Sequence, residues 1–319
     1  MSGRSYDKQL NKAGKRKVKE IPQENSLVPY NKKLRSGSNE VTKNPKEYQI
    51  VPFSKINYDD LSLSDDEEEK DREKIIRFAT DISSNPLSNY NTFVWHLGDW
   101  AKPLSPYLKN PEFRNIFNFV RGEYDTSKCF PPQNKIFNAF QRTSFQNLKV
   151  VILGSSPSIK FNEAMGLSYS VPKSVECTPV IRNMYKALTK DSKIDFAEPK
   201  PMHGDLENWT NQGVLMLNNV LSVKEGRGTS MIKAGWPKFI HEVIKTISKN
   251  NEGIIFLTWG GKAQKLIASV DPKKHHILKY SHPSPLMQKL EKFEDWQHFS
   301  KVNELLEDQG KDQIDWNLD

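Results

Sequence analysis

The sequence predicts an α/β fold with a central, mainly parallel sheet of four strands, covered by helices on both faces. Three observations carry that expectation. Four short apolar runs, Lys149 to Gly154, Gly213 to Asn219, Gly253 to Gly260 and His276 to Tyr280, read as buried strands. Helical patterns separate successive runs, as crossovers between parallel strands require. Turn-forming stretches follow the runs, and in open parallel sheets ligands bind just beyond the carboxyl ends of the strands.

Composition divides the chain in two. Residues 1–71 form an arm, basic and then acidic, expected to be disordered, and residues 72–319 form the folded domain. Residues 1 to 47 carry twelve Lys and Arg against five Asp and Glu, a net of +7 out of +8 for all 319 residues. So polar a segment buries too little apolar surface to offset the entropy of ordering. Lys15, Arg16, Lys17 and Lys19, with Lys32, Lys33 and Arg35, have the spacing of a bipartite nuclear import signal. The plainer reading is a solvated basic arm that touches nucleic acid without sequence preference. Nuclear localisation and protein partners through the arm are the expectations. Ser62 and Ser64 beside Asp65, Asp66, Glu67, Glu68 and Glu69 suit acidophilic phosphorylation, or simply a solvated linker. Two cysteines, Cys129 and Cys177, make neither a disulfide framework nor a zinc site and suit a reducing compartment. No apolar run approaches the ~18 residues of a membrane span, so a soluble intracellular protein without membrane contact is expected, monomeric unless in a complex. No metal or cofactor is implied, because no His, Cys or carboxylate cluster shows ligand spacing.

In chain order, Ile75, Ile76 and Phe78 begin the first helix of the domain. Pro106 to Arg121 places Tyr107, Phe113, Ile116, Phe117, Phe119 and Val120 on one apolar helical face, read as core. Cys129-Phe130-Pro131-Pro132 is an extended turn, since Pro fixes its own φ and restricts its neighbour. A helix over 134–142 leads into the central strand. Gly166 to Val171 alternates as a short extended segment, and Pro179 to Thr189 is a helix with Pro in its first turn. Trp236 to Lys249, Lys262 to Ser269 and Phe299 to Leu306 are the remaining helices.

The loop after the central strand, Gly154 to Ile159, contains no carboxylate, His, Cys or phosphate-binding Lys. Such a loop binds without reacting, or has lost its chemistry. Asn218 ends the second buried run, where a neutral amide can pair with a base edge by donating and accepting at once; a turn-forming Asn is the plainer alternative. His282 alone would read as a structural histidine, and Tyr169 as core.

Taken together, Lys149 to Gly154, Gly166 to Val171, His203-Gly204-Asp205-Leu206, Gln212 to Val223, Gly235-Trp236, Trp259-Gly260, His275-His276, Ser281 to Leu286 and His298-Phe299-Ser300-Lys301 resemble the family 1 uracil-DNA glycosylases, in the family's order. The resemblance implies a three-layer α/β domain with a four-stranded sheet that binds DNA and flips uracil into a pocket. By position, Asn218 would read the uracil edge, and Tyr169 would stand where the family stacks a Phe on the base. His282 would stabilise the charge developing on the base oxygen. Leu286 would fill the gap left in the duplex, and Ser284 and Ser230 would contact phosphates.

The family's Gly-Gln-Asp-Pro-Tyr-His loop reads Gly154-Ser155-Ser156-Pro157-Ser158-Ile159 in this chain. Ser156 replaces the Asp that orients water, and Ile159 replaces a His. Ser155 shortens a Gln that lines the pocket. Ser158 replaces the Tyr whose ring excludes the thymine methyl. Val180, Met231 and Met287 also depart from the family pattern. The first expectation is therefore a catalytically inactive or strongly impaired DNA-binding or protein-docking module. The alternative is a working glycosylase with reduced rate or relaxed base selectivity. A partner-binding protein without DNA contact is the third reading.

Overall fold

The computed structural model describes residues 27–30, 49–52, 85–287 and 292–318. Leu27–Tyr30 and Gln49–Pro52 pair antiparallel with each other. The basic clusters, the acidic run and the helix expected from Arg72 lie outside the described residues. From Tyr90 the elements are α1 (Tyr90–Trp95), α2 (Ser105–Leu108), α3 (Pro111–Thr126), β1 (Cys129–Phe130), α4 (Asn138–Arg142), β2 (Val150–Gly154), α5 (Pro179–Lys190), α6 (Glu207–Thr210) and β3 (Val214–Asn218). They continue with β4 (Val223–Lys224), α7 (Trp236–Asn250), β5 (Ile255–Trp259), α8 (Gly261–Leu266), β6 (His276–Tyr280) and α9 (His298–Asp308).

The main sheet has the order β3-β2-β5-β6, with every neighbouring pair parallel. Central β2 and its neighbours β3 and β5 are buried along their whole length, so their sequences are continuous apolar runs. Edge strand β6 buries only Tyr280. Register sets Gly154 beside Asn218 and Trp259 beside Tyr280, which brings the carboxyl ends to one level. The short β1 pairs antiparallel with β4.

Helix α7 shows why the crossovers pack. Trp236, Phe239, Ile240, Val243, Ile244 and Ile247 recur at three- and four-residue steps and are all buried. In α5, Pro179 occupies the first turn, where a missing N–H costs nothing, and the Thr178 hydroxyl accepts from Ile181 N. Trp100, Trp209, Trp236, Trp259 and Trp316 are among the largest fully buried side chains. The Trp209 indole donates to the Trp316 carbonyl (2.9 Å), which ties the C-terminal segment to the domain.

Two expectations need correction. The stretch read as one helix from Pro106 divides into α2 and α3, because Pro111 supplies no amide to continue the ladder and Asn110 caps Glu112 N instead. Phe113, Ile116, Phe117 and Val120 form the core face as expected, but Phe119 points outward and is 39% exposed. Residues 166–171 are not a strand: Gly166 (φ +76°) and Tyr169 (φ +67°) sit in the left-handed region and turn the chain back across the sheet end. Their ties to the sheet are local, Ser168 N donating to Met216 O (3.0 Å) and Val171 N to Gly204 O (2.9 Å).

Candidate functional site

At the carboxyl ends of β2 and β3 lies a cavity of about 240 Å³. That is smaller than the roughly 300–1,000 Å³ of drug-sized sites, and it suits one planar ring system. Ser155, Ser156, Ser158, Tyr169, Asn218 and His282 all line it, although they are spread over 128 positions of sequence. Sheet topology brings them together.

Gly154 closes β2 directly against β3. A Cβ on Gly154 would run into the Asn218 side-chain oxygen and into the Ser168 Cβ, so only glycine lets the amide of Asn218 lie over the strand end. The carbonyls of Gly154 and Ser155 accept from Asn219 N (3.0 Å) and Val220 N (3.1 Å), which stitches the loop to the segment after β3. Asn218 is thus held on a strand rather than in a turn.

Tyr169 forms the aromatic wall. Its ring lies 5.6 Å from Trp259 and 5.7 Å from His282, and its hydroxyl donates to the Leu153 carbonyl (3.2 Å). A non-glycine residue at positive φ costs free energy that the surroundings must supply. Here the hydroxyl anchor and the two ring neighbours hold it. Burial raises the Tyr169 pKa well above the ordinary tyrosine value, so the phenol stays neutral.

His282 opens the loop after β6. Its Nδ1 accepts from Ser284 N at 3.0 Å, which leaves the imidazole proton on Nε2. Burial first, and the nearby Lys262 charge second, lower its pKa from the ordinary histidine value. Geometry and electrostatics therefore agree on a neutral ring with Nε2–H as donor. Asn183 on α5 fastens the same loop by donating to the Pro283 carbonyl (2.8 Å).

The other predicted residues take different positions. Leu286 is 84% exposed, beyond the cavity mouth. Ser284 is half-buried between His282 and Leu286, and its Oγ accepts from Leu286 N (3.4 Å). Ser230 is not among the cavity-lining residues; its Oγ accepts from Lys224 N (2.8 Å) and steadies the turn after β4. The import-signal residues lie outside the described residues. Sequence reasoning missed Glu163, Thr178, Asn183 and Lys262. Among the described residues, no group of three or more His, Cys, Asp or Glu side chains could hold a metal ion.

Residues 140–307 match the Uracil DNA glycosylase superfamily. The chain belongs to that superfamily. It is 40% identical over 217 residues to the uracil-DNA glycosylase of Flavobacterium johnsoniae, covering 68% of this chain and 96% of that protein. It is 43% identical over 218 residues to that of Serratia proteamaculans, covering 68% and 94%. The crystal structure of mimivirus uracil-DNA glycosylase superposes with a TM-score of 0.67 at 27% identity, covering 76% of this chain and 93% of that one. The glycosylase fold expected from the motifs is the fold observed.

Proposed function

We propose that this superfamily member binds DNA, receives an extruded pyrimidine in the cavity at the ends of β2 and β3, and hydrolyses the N-glycosidic bond of uracil in base-excision repair, at a reduced rate. The observation that carries the reading is the convergence of Asn218, Tyr169 and His282 on one base-sized cavity. Asn218 offers an amide to the base edge, and Tyr169 offers a face for stacking. The His282 Nε2–H stabilises negative charge as it develops on the base oxygen, as a preorganised donor in the cavity wall. Leu286 occupies the gap in the duplex, and Ser284 and Ser230 contact phosphates. The uracil-DNA glycosylases related to this chain support the same reaction class.

The reduced rate follows from the loop. Ser156 offers a hydroxyl where the family resemblance expects a carboxylate, so neither full base assistance nor a negative charge near the sugar cation comes from that position. Positioned acid–base assistance typically contributes ~10²–10⁴-fold, which sets the size of the loss. Ser158, in place of a Tyr, leaves the pocket wider on the side of the base 5-position. The basic clusters of the arm would deliver the protein to the nucleus and add electrostatic affinity for DNA.

One observation favours a second reading, a non-catalytic DNA-binding or protein-docking module: residues 154–159 hold no titratable side chain. Single-turnover excision from single-stranded and duplex oligonucleotides containing uracil separates the two. The proposal expects slow cleavage that His282→Ala and Asn218→Ala abolish. Uracil-dependent binding without cleavage would favour the second reading.

A further inference from the structure

The wall that Ser158 leaves open is not neutral. Asn162 adopts φ +62°, a left-handed conformation that Asn tolerates better than most residues, in the turn that follows the loop. Glu163 follows directly. Its side chain is only 18% exposed, it lines the same cavity as Asn218 and His282, and it is the only acidic residue among the lining residues. Ser158 Oγ donates to Glu163 Oε2 at 2.5 Å and in turn accepts from Lys160 N (3.3 Å). That bond spends the hydroxyl proton of Ser158 on the carboxylate, so Ser158 itself has no proton left for a ligand. Lys160 Nζ stands 3.5 Å from Glu163 Oε1, but its own side chain is 75% exposed, so it screens the carboxylate from outside without filling the pocket.

A carboxylate accepts at about four lone-pair positions, and Ser158 and Lys160 occupy only part of that capacity. A mostly buried acceptor with capacity to spare is costly to leave facing an apolar group and favourable to face with a donor. Thymine, with a methyl at C5, offers nothing to Glu163. A pyrimidine carrying a hydroxyl there offers an O–H.

We infer that Glu163, presented by Ser158, makes the pocket selective for pyrimidines bearing a hydrogen-bond donor at the 5-position, the hydroxymethyl class of oxidised thymine. The inference rests on the base-extrusion reading above and names its substrate class. Glu163 acts here as a specificity-determining residue, and the hydrolysis itself is unchanged: water adds to the sugar carbon, the base leaves with the bonding electrons, and the proton that water gives up neutralises the departing base.

The test uses duplex oligonucleotides with a 2′-fluoro nucleotide at the target. The electron-withdrawing fluorine disfavours the sugar cation, so binding is measured without cleavage. The full chain is compared on 5-hydroxymethyluracil, uracil, thymine and cytosine, beside Glu163→Leu, Glu163→Gln and Asn218→Ala, with excision of the non-fluorinated substrates in parallel. A charge-assisted hydrogen bond predicts that 5-hydroxymethyluracil binds roughly ten- to a hundred-fold more tightly than thymine. Glu163→Leu should erase that ratio, and Glu163→Gln, which keeps a neutral acceptor, should retain part of it. A ratio near one in the wild type, or one that survives Glu163→Leu, overturns the inference while Asn218-dependent uracil binding keeps the base-extrusion reading intact. Tighter binding of cytosine than of 5-hydroxymethyluracil overturns the substrate class, because Glu163 would then be meeting an exocyclic amine. Equal binding of all four bases, insensitive to Asn218→Ala, overturns both readings.

Discussion

His282 can donate from Nε2 only while Nδ1 accepts from Ser284 N. A second proton on the ring would set two donors face to face at 3.0 Å and open the loop that also carries Leu286. The lowered pKa protects against this: burial and Lys262 hold the ionisation below the ordinary value of 6.5. The sign follows directly. The ring is neutral above pH 6.5 and charges only as the pH falls through its folded value, so the donor geometry is complete at neutral pH and is lost on acidification. The unfolded chain binds that proton more readily, so acid also weakens the fold through this group. A ring-carbon NMR titration of His282 should show a midpoint below 6.5; a midpoint at or above 6.5 would remove the neutral donor from the account. The residue scale was also the least legible one. Asn218, Tyr169 and His282 were singled out through ordered motifs and the structure places them in one cavity, whereas Glu163 follows the left-handed Asn162 in a turn with no periodicity around it.

At the scale of elements, β2, β3 and β5 were readable because buried parallel strands need continuous apolar runs, whereas β6, read as buried in the same way, is an edge strand that buries only Tyr280. α5 and α7 were readable from three- and four-residue spacing and an early Pro. What failed did so for local reasons: Asn110-Pro111 breaks a continuous apolar pattern, and an alternating pattern over 166–171 is overridden by two left-handed residues. The segment after β6 shows how an element divides its duties. Asn183 and Ser284 N fix its base, and its tip presents Leu286 at 84% exposure. A leucine so exposed contributes little to stability, so Leu286→Ala should leave the melting temperature unchanged. Under the proposed base extrusion, the same change would remove apolar volume from the gap in the duplex. Excision or binding at a duplex target should fall roughly ten-fold, with single-stranded DNA hardly affected. Equal losses on both substrates would show that Leu286 is an ordinary contact rather than a wedge.

On the scale of the whole molecule, the fold is that of the superfamily, while the proposed loss of rate rests on one loop. The chain keeps about 40% identity to bacterial uracil-DNA glycosylases over nearly their whole length, and its parallel sheet gathers Asn218, Tyr169 and His282 in one cavity. The loop after β2, by contrast, carries Ser155, Ser156 and Ser158 and no charge. The net charge is divided unevenly too, with +7 of the +8 in the first 47 residues, so under the proposed function long-range attraction to phosphates would come from the arm and short-range recognition from the domain. The central claim is that the pocket is assembled and that the negative charge near the reacting sugar is what the loop lacks. Single-turnover excision of uracil by Ser156→Asp, with DNA affinity measured alongside, tests it most directly. The account predicts a rate increase of roughly 10²-fold or more at unchanged affinity. An unchanged rate at unchanged affinity would contradict it and show that the pocket does not hold the base in a reactive position.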